Sequence, residues 1–272
     1  MKNKVDYHLH TYYSDGSMSP TEMVKRAKDL EYTEIAITDH DGIDGVREAQ
    51  IAGDALEVNV LSGIELAAEL KTEKFKEAVP VHILGYRMDI KNKELNAELE
   101  KIKEKRKIRN EKLLAVLKEM GYELSEEDFP TEDDREYIGK PLIARAMVKR
   151  GYIDHVKEAF EPGRLLEAPA AKAVKKEKIS AERAIALIKG AGGIAVLAHP
   201  MKIKELGTRG SQEFYEKLDA LTREMKKMGL KGIECFHPAH TKEESLYLVG
   251  LAEKYHLHIT EGSDYHGPDF EK

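Results

Sequence analysis

Apolar residues along this chain occur in short runs separated by longer stretches with helical periodicity. Four short runs come first and predict buried strands, at residues 5–11, 34–38, 58–61 and 79–85. Between the first two, the sequence Ser-Pro-Thr-Glu at 19–22 is a capping box with proline at the first helical position, and it begins a helix. Helices of this length between strands are typical of parallel βαβ units. The pattern therefore predicts an α/β fold with a parallel sheet or barrel.

This alternation stops near residue 95 and resumes after residue 173. The intervening segment shows helical periodicity and loops and predicts no strand. Strands are predicted again at residues 192–198, 232–236 and 257–260. We therefore predict that residues 1–94 and 174–272 form the α/β domain and that residues 95–173 form a small inserted helical subdomain that caps it.

Composition then limits the class of protein. The chain has 272 residues, of which 41% are hydrophobic and 35% charged, so it can bury a core and stay in water. The single cysteine, Cys235, excludes an internal disulfide and suits a reducing compartment. No apolar run approaches the ~20 residues of a membrane helix, and a net charge of −6 argues against broad non-specific binding to nucleic acid. These features predict a cytoplasmic globular protein with no membrane partner and no obligate protein partner.

Side chains that suit a divalent metal recur at or just past the predicted strand ends. Nine residues form this set: His8, His10, Asp15, His40, Glu65, His82, His199, Asp264 and His266. The C-terminal ends of parallel strands converge on one edge of the fold, where active sites form. One ion takes four to six ligands, so nine candidates predict a cluster of two or three divalent ions. For any single histidine the alternative is an ordinary hydrogen-bonded surface residue, but the recurrence favours a metal cluster.

The same residues stand in a set of short motifs. These are His8-x-His10 with Asp15 downstream, Thr-Asp-His-Asp at 38–41, Gly-Ile-Glu at 63–65, His-Ile-Leu-Gly at 82–85, Ala-His-Pro at 198–200 and Ser-Asp-Tyr-His-Gly at 263–267. In kind and order they resemble the motifs of the PHP (polymerase and histidinol phosphatase) superfamily, and within it the TrpH-like phosphoesterases, which carry a helical insertion before the Ala-His-Pro motif. The resemblance implies a distorted (β/α)7 barrel, a three-metal centre of manganese, zinc or iron, and metal-ligand roles for the nine residues.

Such a centre predicts hydrolysis by activated water. Metal ions that share a ligand can hold a bridging water and lower its pKa, so that hydroxide is available to attack phosphorus. Glu65 suits the bridging position, because one carboxylate can give an oxygen to each of two ions. The candidate ligands include no serine or cysteine nucleophile. We therefore predict attack by metal-bound water, with Glu65, Asp264 and His266 as supporting residues.

Basic residues of the insertion are candidates for substrate binding. On one long predicted helix, Arg106 and Arg109 occupy positions of an otherwise apolar stripe. Half-buried guanidinium groups need a planar anion such as phosphate; the alternative is that they reach water or pair with acidic residues. Arg145 matches an arginine of the TrpH-like pattern, and His240 matches a histidine after the penultimate barrel strand. We predict that these four residues bind substrate phosphate and that His237 is structural.

The resemblance and the basic cap together predict the activity. A compact substrate bearing two phosphates suits a small cap with several basic residues. We expect removal of the 5′-phosphate from 3′,5′-bisphosphonucleotides, or 5′–3′ exonuclease action on short 5′-phosphorylated RNA. The alternatives are a histidinol-phosphate-type or other small-molecule phosphatase, and a barrel in which the metals are only structural. The helical insertion and Asp15 argue against the first, and the lack of cysteine among the ligands argues against the second.

Overall fold

The computed structural model describes residues 4–75, 77–129 and 138–268. The strands are β1 (Val5–Leu9), β2 (Glu34–Ile37), β3 (Asn59–Leu70), β4 (Val79–Tyr86), β5 (Ile179–Ser180), β6 (Ile194–Leu197), β7 (Gly232–Phe236) and β8 (His258–Glu261). The α-helices are α1 (Pro20–Asp29), α2 (Val46–Leu56), α3 (Lys93–Glu119), α4 (Lys140–Lys149), α5 (Pro169–Ala173), α6 (Ala181–Gly190), α7 (Gln212–Met228) and α8 (Lys242–Tyr255). Strands and helices thus alternate on both sides of a segment whose described residues form helices and turns but no strand.

Seven strands form one continuous sheet in the order β1-β2-β3-β4-β6-β7-β8, and the two-residue strand β5 pairs with β3. The chain after β8 returns to β1. Leu9 pairs in parallel with Tyr265, and the N–H of His10 donates to the carbonyl oxygen of Tyr265 at 3.0 Å. The sheet is therefore a nearly closed barrel, and the predicted distorted (β/α)7 barrel is confirmed.

Strand β4 runs against both of its neighbours. His82 pairs with Ala67 of β3, and Ile83 pairs with Leu197 of β6, both in antiparallel register. The prediction of a parallel sheet is wrong at this strand, because β3 does not stop at Leu61 but continues through Glu65, and the chain then returns as β4. As a result, His82 near the start of β4 lies beside the second half of β3.

A glycine explains why β3 is longer than its pattern indicates. Gly63 lies in the middle of β3, where β3 passes close to β2. A Cβ atom at this position would lie 2.3 Å from the carbonyl oxygen of Ile37, so only glycine fits. Glycine often marks the end of a strand, but here Gly63 allows β3 to lie close to β2.

Helices cover the outside of the barrel with their apolar faces. Helix α1 begins at the predicted capping box, where Ser19 Oγ accepts a hydrogen bond from the N–H of Glu22 at 3.1 Å. It buries Met23, Val24 and Ala27 against β1, β2 and α2. None of the helices in the described ranges is both long and apolar enough to span a membrane.

Helix α3 connects two separate hydrophobic cores. Its first half packs on the barrel core through residues such as Leu95 and Ile102, and its second half packs through Leu113 on α4 and the turns that follow. Arg106 and Arg109 are buried between these two contacts. The apolar stripe predicted on α3 thus consists of two consecutive stripes that pack on different cores, and Arg106 and Arg109 lie where the two stripes meet.

Candidate metal centre

The turn after β1 folds back on the strand and brings Asp15 beside His10. The N–H of Gly16 donates to the carbonyl oxygen of Thr11 at 2.9 Å. This turn requires glycine, because a Cβ at residue 16 would lie 2.4 Å from the carbonyl oxygen of His10. Asp15 Oδ1 consequently lies 3.8 Å from His10 Nδ1.

Eight of the nine predicted metal ligands form three overlapping groups, and the ligand atoms of each group lie within 4.8 Å of one another. The groups are His10, Asp15, His40 and His266; His8, His10, Glu65 and Asp264; and His40, Glu65 and His82. The ninth residue, His199, places its Nε2 2.9 Å from Glu65 Oε1. Because the groups share members, the structure brings all nine residues to one place at the rim of the barrel.

Glu65 lies at the centre of this cluster. Its Oε2 lies 3.4 Å from His8 Nε2, 3.3 Å from His10 Nε2 and 2.9 Å from His40 Nδ1, and its Oε1 lies 2.8 Å from His82 Nδ1 and 2.9 Å from His199 Nε2. Burial alone would raise the pKa of Glu65, but the imidazoles around it hold that pKa well below its ordinary value. A carboxylate with imidazoles at both oxygens has the arrangement needed to contact two metal ions.

Several buried ligand atoms in the cluster lie close to neighbouring polar atoms but make no hydrogen bond of acceptable geometry to any part of the chain that the structure describes. They are His8 Nε2, His10 Nε2, Asp15 Oδ1 and Glu65 Oε2. Buried polar atoms nearly always have a partner, and four without one in a single cluster indicate a site for a bound cation. Imidazole nitrogens and carboxylate oxygens suit divalent first-row metals. The residues present therefore fit divalent metal ions.

Three residues at the rim have a strained backbone. Asp41, His199 and Asp264 have positive φ angles of 52°, 26° and 54° and are not glycine. Such conformations cost about 1–3 kcal/mol each and concentrate at functional sites. Here they follow the ends of β2, β6 and β8, where the chain turns sharply beside the cluster.

The sequence prediction misses Glu234, whose carboxylate contacts two of the predicted ligands, His8 and His199. Glu234 is fully buried on β7. Its Oε1 lies 2.9 Å from His8 Nδ1, and its Oε2 accepts a hydrogen bond from the N–H of His199 at 2.7 Å. A carboxylate on Nδ1 directs the Nε2 of His8 toward the cluster and raises its basicity. The signal in the sequence is an acidic residue in the middle of an apolar strand.

Replacing Glu234 by glutamine is expected to weaken metal binding about 10- to 100-fold, as for other partners behind ligating histidines. The side chain keeps its size, so the barrel is expected to fold. Titration of metal-free protein with Mn²⁺ by calorimetry measures the effect. Glu213→Gln on α7, whose side chain is 68% exposed, is the matched control. Equal affinity in Glu234→Gln and the native chain would contradict the role of Glu234.

Two further residues support the cluster. Asp39 accepts hydrogen bonds from the N–H of Thr11 at 2.7 Å and from Ser14 Oγ at 2.6 Å, and thereby fixes the turn that carries Asp15. His237, predicted to be structural, lies with its Nε2 3.3 Å from Asp264 Oδ2. His237 therefore contacts the predicted ligand Asp264 directly. The sequence position of His237 does not indicate this contact.

The predicted phosphate-binding arginines lie on the buried side of α3. Arg106 Nη2 lies 2.9 Å from Asp41 Oδ2, and Lys176 Nζ contacts the same oxygen. The alternative of pairing with an acidic residue thus holds for Arg106. Burial would raise the pKa of Asp41, but Lys176 and Arg106 lower it to about 2. Asp41 directly follows His40, so the ion pair joins the insertion to the edge of the metal cluster.

Arg109 belongs to the same basic region. Burial lowers the pKa of Lys176, Asp41 counteracts this, and Arg106 and Arg109 lower the pKa further by repulsion. Burial likewise lowers the pKa of Lys140, with a contribution from Arg109. Four cationic side chains from α3, α4 and residue 176 therefore lie near one another.

The remaining two predicted phosphate ligands are placed differently. Arg145 is half-buried on α4, and His240 is half-buried after β7. His240 Nδ1 lies 3.2 Å from the carbonyl oxygen of Cys235, and since a carbonyl can only accept, Nδ1 carries the proton. Burial lowers the pKa of His240 to about 4, so at pH 7 the ring is neutral and its Nε2 is an acceptor. Phosphate binding by His240 stays a prediction that requires the ring to turn or gain a proton.

A cleft of about 380 Å³ opens on the metal cluster. It is lined by the cluster residues His40, Glu65, His82, His199, Asp264 and His266, together with Pro80, Val81 and residues 202–205. Its volume is in the range of sites for small organic ligands. A substrate in this cleft would lie against the cluster.

Comparison with known proteins identifies the family. The model of the PHP domain matches residues 6–235. The chain belongs to the PHP domain family. It is 30% identical to a 5′-3′ exoribonuclease of Haemophilus influenzae over 98% of this chain and 92% of the relative. It is 28% identical to a 3′,5′-nucleoside bisphosphate phosphatase of Chromobacterium violaceum over 97% of this chain and 87% of the relative.

A solved structure agrees with these relatives. A Bifidobacterium adolescentis protein assigned as a metal-dependent phosphoesterase superposes with a TM-score of 0.80 and 27% identity, over 99% of this chain and 90% of that one. The names of both curated relatives describe hydrolysis of a phosphate ester. The predicted family and enzyme class are thereby confirmed: this PHP family member is a metal-dependent phosphoesterase with histidine, aspartate and glutamate groups able to bind metal.

Proposed function

We propose that this PHP protein removes the 5′-phosphate from nucleotides, with 3′,5′-bisphosphonucleotides or short 5′-phosphorylated RNA as substrates. The observation that carries this proposal is the cleft itself, which is lined both by residues of the metal-binding cluster around Glu65 and by the cationic side chains of Lys202 and Lys204. Phosphate esters are the substrates for which an enzyme needs both. The names of the exoribonuclease and bisphosphate phosphatase relatives support the choice of nucleotides and RNA ends.

We propose two or three divalent ions, manganese, zinc or iron, as the cofactor. The proposed ligands are His8, His10, Asp15, His40, Glu65, His82, His199, Asp264 and His266. Their support is the short distances within the three ligand groups, the contact of His199 with Glu65, and the four buried atoms that make no hydrogen bond in the described chain. Such ions, when bound, lower the pKa of water and neutralise phosphate oxygens.

The chain's own residues then hold and orient the reacting groups. Glu65, Asp264 and His266 face the cleft and are proposed as supporting catalytic residues. Ser14 is poorly placed as a nucleophile, although its Oγ lies 3.4 Å from His10 Nδ1. It is fully buried, and its hydroxyl donates to Asp39 at 2.6 Å. This arrangement supports direct attack by water rather than a covalent enzyme intermediate.

Residues 95–173 are proposed to form the cap that selects the substrate. The separate hydrophobic core of the insertion supports this, and the first turns of α3 pack on the barrel and anchor it. Arg106, Arg109, Arg145 and His240 are proposed to contact substrate phosphate. Of these, Arg109 is the best suited to experiment, because Arg106 also pairs with Asp41 beside His40.

Replacing Arg109 by glutamine is expected to raise KM for a 3′,5′-bisphosphonucleotide about tenfold or more, because a charge-assisted contact to the second phosphate is lost. The kcat/KM for the corresponding 5′-monophosphate is expected to change much less, and metal content is expected to stay native. Steady-state kinetics on both substrates and metal analysis measure this. Arg150→Gln is the control, since Arg150 pairs with Asp128 away from the cleft. An equal effect on both substrates would contradict recognition of the second phosphate.

The function is tested by phosphate release with Mn²⁺ present. The substrates are 3′,5′-bisphosphonucleotides, 5′-monophosphates, short 5′-phosphorylated RNAs, histidinol phosphate and sugar phosphates. Release from nucleotides or RNA 5′ ends supports the proposal, and a higher kcat/KM for the bisphosphonucleotide than for RNA assigns the small substrate. Release from histidinol phosphate and from no nucleotide would overturn it. A cytoplasmic location remains part of this proposal.

A further inference from the structure

The cleft is also lined by residues 202–205, which belong to a short segment after β6 that combines buried and exposed side chains. Lys202, Lys204 and Glu205 are exposed and line the cleft. The residues between and beside them are buried in the barrel core, namely Met201, Ile203 and Leu206. The backbone of this segment is thereby anchored, and the exposed side chains of Lys202, Lys204 and Glu205 are free to change rotamer.

Lys202 reaches the edge of the metal cluster. Its Nζ donates to Asp264 Oδ2 at 2.7 Å. The other oxygen of Asp264 lies 3.3 Å from His10 Nε2 and 3.5 Å from His8 Nε2. The ammonium group is therefore separated from the histidines of the cluster by a single carboxylate.

Asp264 has other supports and does not depend on this lysine. His237 Nε2 lies 3.3 Å from the same Oδ2. The next residue, Tyr265, is tied to β1 by the hydrogen bond from the N–H of His10 at 3.0 Å. The Lys202 side chain is 43% exposed, and an ion pair so open to water contributes little to stability. The ion pair therefore holds Lys202 only weakly, and its ammonium group can leave Asp264 at a small cost in free energy.

We propose that Lys202 binds the phosphoryl group that is hydrolysed, and that it leaves Asp264 for an oxygen of this group when substrate enters the cleft. The inference rests on the proposed phosphoesterase function. A divalent ion on Asp264 would repel the ammonium group, and a phosphate placed between the two cations relieves the repulsion. The flexible lysine stem and compact charge suit contact with a phosphate that changes shape during reaction. Lys202 would then bind the reacting phosphate, whereas the arginines of α3 bind the rest of the substrate.

The test compares Lys202→Gln, Lys202→Arg and the native protein, all loaded with Mn²⁺. Calorimetry measures the affinity for inorganic phosphate, metal analysis measures Mn²⁺ content, and kinetics measure KM and kcat on a 5′-mononucleotide. Lys254→Gln is the matched control, because Lys254 forms a similarly exposed pair with Asp219 at 2.5 Å on the outside of the barrel.

Lys202→Gln is expected to bind phosphate about tenfold or more weakly with native Mn²⁺ content, Lys202→Arg to recover most of the affinity, and Lys254→Gln to match the native protein. Phosphate affinity and KM equal to those of the native protein in Lys202→Gln would overturn the inference. So would loss of Mn²⁺ from Lys202→Gln, since Lys202 would then act through Asp264. A native protein that binds phosphate but hydrolyses no nucleotide would instead count against the proposed function, so the two failures are distinguishable.

Discussion

Replacement of Glu65 by glutamine is expected to abolish most of the bound metal and to lower kcat roughly 10³-fold or more. The reason is the central position of Glu65, whose two oxygens face five imidazole rings. An amide has one neutral oxygen acceptor, and it cannot supply the negative charge that a bound divalent ion would need. Losing several kcal/mol of transition-state stabilisation corresponds to a rate loss of this size.

Metal analysis of the purified variant and phosphate release from a nucleotide measure this effect. Glu69→Gln is the control, because Glu69 lies on the same strand β3 but is not among the cluster residues. Thermal unfolding separates loss of metal from loss of fold, and Glu65→Asp, which keeps the charge on a shorter stem, is expected to bind more metal than Glu65→Gln. Native metal content and native kcat in Glu65→Gln would show that the cluster is not organised around this carboxylate.

Removal of metal is expected to abolish activity and to lower the melting temperature by about 5–10 °C relative to protein in Mn²⁺ at a hundredfold excess over Kd. A ligand at that concentration stabilises the folded state by about 2.7 kcal/mol, and each kcal/mol shifts the melting temperature of a chain of this size by about 2–4 °C. The structural source is the four buried ligand atoms that make no hydrogen bond in the described chain, since a bound cation would satisfy them.

Differential scanning calorimetry with EDTA, and again after addition of Mn²⁺, measures the shift, and an activity assay follows its reversal. Glu65→Gln serves as control, because it is expected to show little shift between the two conditions. Identical melting temperatures of the native chain in EDTA and Mn²⁺ would contradict a metal site formed by the folded barrel.

The nine predicted residues lie together in the structure because strand ends in an α/β fold converge. His8, His40 and His199 follow this logic directly, since each lies on or just after a parallel strand. The logic does not account for His82, which reaches the cluster because β4 is antiparallel. Strand direction depends on the antiparallel pairing of β3 and β4, which periodicity does not show, so here the position of a residue in the cluster was predicted from an incorrect topology.

The supporting residues were harder to predict because their function depends on contacts between distant strands. Glu234 lies in an apolar strand and reaches His8, which is 226 residues away in the chain. Asp41 and Lys176 are ordinary charged residues in the sequence, and only the fold brings both together with Arg106 of α3. Long-range pairing of this kind leaves no periodic pattern, whereas an unusual polar residue within an apolar stripe does.

The continuity of α3 determines how molecules could enter the cleft. One unbroken helix of 27 residues belongs to both hydrophobic cores, with Ile102 in the first and Leu113 in the second. A hinged lid needs a flexible segment between the lid and the rest of the protein. Here the two hydrophobic cores are connected by a continuous helix, and bending this helix would break its backbone hydrogen bonds. Entry of substrate would then depend on the width and charge of the preformed opening of the cleft and on side-chain rotation, rather than on domain closure.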